Sequence, residues 1–171
     1  MNRIVVVIAL VVIAVVYQSL SLFGGSDDVD ISPELREAIT SAGAEEVKLT
    51  AYLQRYLTGK TIDIEAMTAQ RDRMAKSVNL VLEYVEEMTG SDCKEWNNFH
   101  RNLAACFAHA AKNAEKYKEV IAYISKHNPG KETDFDAAVS PLKDLLEEGP
   151  MLASALRDSQ VILMKKIRAK R

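Results

Sequence analysis

Between residues 64 and 88 one face of the chain is written by steps of three and four: Ile64, Met67, Arg71, Met74, Val78, Val81, Val85 and Met88. This is the 3.5-residue period of helices packed at shallow angles, and no strand can use it, because a strand alternates every second residue. The period returns at Trp96, Phe99, Leu103, Cys106, Ala110, Asn113, Tyr117, Val120 and Ile124. Two long seams in one chain bury their faces most simply on each other, as members of a helical bundle.

The rest of the sequence fits that frame. Ser32-Pro33-Glu34 reads as a helix start: a capping hydroxyl, a proline suited to the first turn and an acid at the positive end of the dipole. Leu35, Ile39, Ala42, Leu49, Leu53, Tyr56 and Leu57 then share a face, and Gly59 ends the helix; Gly43 costs about 1 kcal/mol relative to Ala and is a weak point where the helix can kink or break. Asp92, with Glu95 three residues on, resembles a capping box at the start of the third helix. Asn128-Pro129-Gly130 breaks the chain again. The last segment carries Phe135, Val139, Leu142, Leu145 and Leu146, then Leu152, Leu156, Ile162, Leu163 and Ile167. It is expected to form one helix kinked or broken near Gly149-Pro150, with Pro141 a second weak point. The expectation is an all-α chain: an N-terminal transmembrane helix, then an up-down antiparallel four-helix bundle.

The transmembrane helix is read from residues 4–23. Residues 4–16 are unbroken in their apolarity, and the run continues less strictly to Phe23, about the length that spans a bilayer. Arg3 precedes it and Asp27, Asp28 and Asp30 follow, which places the N-terminus in the cytoplasm and the domain outside, periplasmic or extracellular. Ser19-Leu20-Ser21 offers the small residues of a signal-peptidase site, so cleavage after Ser21 is the competing reading. Gly24-Gly25-Ser26 looks like a joint between an anchor and a domain, and favours retention. The chain thus divides into a signal-anchor at 1–23, a linker at 24–31 and a bundle at 32–171. All 24 acids but only 21 of the 22 bases follow Ser26, so the domain carries 21 − 24 = −3. Without a basic face, nucleic acid is not an expected partner.

Few residues suggest chemistry. On one continuous helix Cys93 and Cys106 would be thirteen residues and roughly 20 Å apart, beyond disulfide reach. If the helix begins nearer Asn98, the preceding segment could fold back and bond them in an oxidising compartment. Otherwise Cys106 is a small core residue and Cys93 an exposed thiol at a helix start, a reactive group open to cross-linking. Cys106 and His109 are near neighbours on one face, but the chain has no Glu-x-x-His pair and no Cys-x-x-Cys-His. No catalytic residue, cofactor or metal site is therefore assigned, and the protein is not read as an enzyme. Arg71 and Asn113 interrupt their seams, either as an edge residue and a register-setting polar group or as the walls of a small-ligand pocket.

Lys165, Lys166, Arg168, Lys170 and Arg171 give the last turn a basic end. Such a turn suits the helix dipole. It is also a membrane-surface signal, because an even number of antiparallel helices returns the chain to the side of its anchor. The expected function is that of a membrane-anchored interaction or scaffold domain, an accessory subunit with protein partners in a membrane complex. The alternatives are a ligand-sensing bundle that signals through a partner, and a metal- or redox-binding bundle.

Overall fold

In the computed structural model, residues 32–88, 92–127 and 135–169 are described, and they are helical almost throughout. The expected anchor, with its transmembrane helix, and the expected linker lie outside these residues. No helix among the described residues is long and apolar enough to cross a membrane. Four long helices follow one another: α1 (Pro33–Leu57), α2 (Ile64–Glu87), α3 (Lys94–His127) and α5 (Lys143–Ala169). A short α4 (Phe135–Val139) and one 3-10 turn (Ser140–Leu142) lead into α5.

Local chemistry sets the ends. The Ser32 hydroxyl accepts the Leu35 N–H at 3.1 Å, with Pro33 in the first turn. α1 stops where Gly59 takes φ +78°, a left-handed conformation that side chains other than glycine resist. Asp63 caps α2 by accepting the Ala66 N–H at 3.0 Å. The capping box expected at Asp92 does not form as drawn: α3 begins at Lys94, and the Cys93 carbonyl takes the first helical bond, from the Asn97 N–H at 3.1 Å. Cys93 is therefore the cap position and Glu95 sits inside the first turn.

Consecutive long helices pack on each other: α1 on α2, α2 on α3, and α3 on α5, with α4 and the 3-10 turn also against α3. Contacts show the direction of two pairs. Between α1 and α2, Ser41 meets Ser77 while Glu45, further along, meets Gln70, nearer the α2 start. Between α3 and α5, Glu95, Asn102, Cys106 and His109 meet Lys166, Ala155, Leu152 and Glu148 in turn. Numbers rise on one helix as they fall on the other, so both pairs run antiparallel. The core is one continuous cluster, from Leu35, Leu49 and Tyr56 through Met74, Val81, Phe99, Leu103 and Tyr117 to Leu156 and Leu163.

Three expectations need correction. α1 passes Gly43 without interruption; Gly43 is buried within it. α5 also runs unbroken through Gly149 and Pro150, although Pro150 lacks the N–H that would bond one turn back. The interruption falls earlier, at the 3-10 turn holding Pro141. Ile162, expected in the core, is 52% exposed, and Ser159 and Gln160 are buried there instead. Alternating steps of three and four carry the face from Leu156 through 159 or 160 to Leu163, which leaves position 162 one residue off it.

Candidate functional site

Two places hold polar groups in unusual settings: one end of the bundle, and a layer inside it. The end is the one nearer the linker. Ser41 faces Ser77, so Pro33, eight residues earlier, lies level with Val85, eight residues later. The Val85 carbonyl in turn meets the His100 ring at 2.7 Å. The first six residues of α3 therefore project past the start of α1, by about 9 Å at 1.5 Å per residue. The end of α5 projects with them, because Lys166 reaches Glu95.

At this tip the Lys166 ammonium donates to the Glu95 carboxylate at 2.5 Å, and the Cys93 thiol donates to the same oxygen at 3.3 Å. The lysine, with help from the backbone N–H at the helix start, holds the Glu95 carboxyl down at about 2. Glu95 in return raises Lys166. Of the five basic residues expected to form a free membrane-surface tail, Lys166 is thus engaged on α3. Lys165 and Arg168 are exposed, and Lys170 and Arg171 lie outside the described residues.

The thiols separate. Both are free. One continuous helix carries the chain from just after Cys93 through Cys106, which rules out a bond between them in this fold. Cys106 is buried, donates to the Leu152 carbonyl at 3.5 Å and is pushed up by burial to about 12, so it is a core residue and not a reactive thiol. His109 is also buried; its Nδ1 stands 3.7 Å from the Glu148 carboxylate. Burial keeps the imidazole below its ordinary range although Glu148 pulls the other way. Cys106 and His109 therefore face separate partners on α5. Among the described residues no three His, Cys, Asp or Glu side chains come together to hold a metal ion.

The inner layer was only partly visible in sequence. Asn113 is buried as its seam position requires, and its Oδ1 meets no hydrogen-bond donor among the described residues. Arg71 sits at the edge and pairs with Asp72 at 2.7 Å. The buried polar residue of α2 is its neighbour, Gln70, whose amide donates to the Glu45 carbonyl and carboxylate and whose oxygen accepts from Arg73. Burial disfavours the Glu45 charge, but the bonds from Lys48 and Gln70 and the Arg73 charge outweigh it and hold the carboxyl low. α1 adds buried Glu46 and Thr50, which face Tyr117 of α3. Burial, reinforced by Glu46, pushes the Tyr117 phenol far up; the Thr50 and Tyr117 hydroxyls stand close without meeting hydrogen-bond geometry.

No family model, curated protein or solved structure matches this chain.

Proposed function

We propose that this is a single-pass membrane protein whose helical bundle stands outside the cytoplasm and acts as an interaction or scaffold domain, an accessory subunit of a membrane complex. The observation that carries the reading is topological. The chain enters the bundle at Pro33 and leaves α5 at the same end, and only nine residues, 24–32, lie between the 20-residue apolar run and Pro33. A domain held this way offers its helix flanks and far end to a partner, while its near end stays beside the lipid. The test is intact-mass analysis of the membrane fraction, joined to protease treatment of sealed vesicles. The expected species keeps Asn2 at its start, with or without Met1, and its domain is digested only from the non-cytoplasmic side. A mature chain beginning near Leu22 contradicts the anchor, and digestion from the cytoplasmic side contradicts the orientation.

The polar layer favours a second reading, a bundle that senses a small ligand and signals through a partner. A buried acceptor without a donor costs stability, about 1–3 kcal/mol for a neutral group, and Asn113 Oδ1 is such an acceptor. A polar group that burdens the fold is a mark of a ligand site. Asn113→Leu, which removes that acceptor and keeps the branching of the side chain, should then raise stability by about 1 kcal/mol in denaturant unfolding. A loss of stability would instead make Asn113 a register-setting residue and remove the ligand reading.

A further inference from the structure

The leader-side end of the bundle is polarised. On its α1/α2 half the exposed charges are Glu34, Glu37, Glu83, Glu86 and Glu87. On its α3/α5 half they are Lys94, Arg101, Arg157, Lys165 and Arg168, against Asp92 and Asp158, and Lys170 and Arg171 follow in sequence. The basic half is also the half that projects, by the register of Ser41 with Ser77 and of Val85 with His100. Two separate features, reach and sign of charge, therefore select the same edge.

We propose that the α3/α5 tip docks on the anionic surface of the bilayer that holds the leader, so that the bundle leans on this edge and turns its acidic α1/α2 edge away. The proposal rests on the reading of residues 1–23 as a retained anchor. The chain outside the described residues argues for the occupant. Nine residues, 24–32, separate the apolar run from Pro33 and span at most about 32 Å when fully extended. The tip is thus confined near the headgroups whether or not it is attracted to them. Confinement raises the effective concentration of the surface, so even a few weak contacts decide the orientation. Lys166 serves the geometry in a different way from its neighbours: bound to Glu95, it ties the end of α5 to the start of α3 and leaves Lys165 and Arg168 to face outward.

Trp96, the sole tryptophan, lies in the first turn of α3, 6.0 Å from the Phe99 ring, and reports on this tip without a label. The full chain is reconstituted in phosphatidylcholine vesicles, with or without phosphatidylserine, that carry a headgroup spin label as quencher. Quenching of Trp96 should be stronger with phosphatidylserine and should fall to the phosphatidylcholine level in high salt. Replacing Lys165, Arg168, Lys170 and Arg171 together by Gln should abolish the difference, each cation being worth about fivefold in surface association. Replacing Glu86 and Glu87 by Gln should preserve it, and helical content should be unchanged in both variants. Equal quenching in the two lipids at low salt, or a lipid difference that survives loss of the four cations, rejects docking while leaving the anchor intact. Release of the wild-type chain from vesicles by alkaline wash rejects the anchor, and the docking proposal with it.

Discussion

Leu103→Asp should leave no cooperatively folded domain. Leu103 is fully buried in α3, the helix that packs on both α2 and α5, so a charge there disturbs two interfaces at once. An unpaired buried carboxylate costs several kcal/mol, a large part of the roughly 5–15 kcal/mol that holds a domain together. Circular dichroism during heating should show no sigmoidal transition, or one displaced far below that of the wild type. Glu86→Lys is the matched control: it also changes charge, but on the exposed side of α2, and should alter stability by less than about 0.5 kcal/mol. Similar melting of the two variants would contradict the assignment of the seams to the core.

The two thiols should differ in reactivity by orders of magnitude. Cys106 sits at about 12, against about 9 for an ordinary thiol, so its thiolate is about a thousandfold scarcer at neutral pH, and burial blocks the reagent as well. Cys93 is half-buried at the start of α3. In the native protein, maleimide should therefore modify one thiol per chain, at Cys93, and the second only after denaturant is added. Peptide mapping identifies the site. Two equivalents taken up at similar rates would show that α3 and α5 do not close over Cys106. A native chain resistant to maleimide yet reactive after reduction would show a Cys93–Cys106 bond, and a helix that begins later than Lys94.

The sequence made the helices and most of the core legible because both follow from spacing. Met67, Met74, Val78, Val81 and Val85 are all buried, as are Phe99, Leu103, Cys106, Tyr117, Val120 and Ile124. Residue type and position disagree at the places where the core departs from its apolar pattern. Glu46 completes the step from Ala42 to Leu49, and Gln70 the step from Met67 to Met74, yet both are polar and give no apolar signal. Ser159 and Gln160 are likewise polar but buried, while the apolar Ile162 beside them is exposed. Gln70 is tolerated inside because Glu45 of the neighbouring helix and Arg73 one turn along its own helix supply partners, and the Ser159 hydroxyl bonds back to the Leu156 carbonyl; the cross-helix partner has no signal in one-dimensional spacing. The same holds for the pair between Lys166 and Glu95, which are 71 residues apart. The basic end of α5 was legible as composition; that one of its cations is spent on binding α3 depends on the register of two helices. Gly149-Pro150 misled for a different reason: proline is disfavoured inside a helix, but packing along α3 on both sides of it holds α5 together.

The claim beneath the functional reading is that the bundle begins and ends on one side. Two distances measured by spin-label spectroscopy test it, from a label at Arg168 to one at Glu34 and, separately, to one at Thr58, all three being exposed positions. Cys93→Ser and Cys106→Ala remove the native thiols. α1 is 25 residues long, about 37 Å from end to end, so its two ends are well resolved. The account predicts that Arg168 lies nearer Glu34 than Thr58, by a margin of about 10 Å or more. The opposite order would place the end of α5 at the far side of the bundle, away from the linker, and would contradict the account.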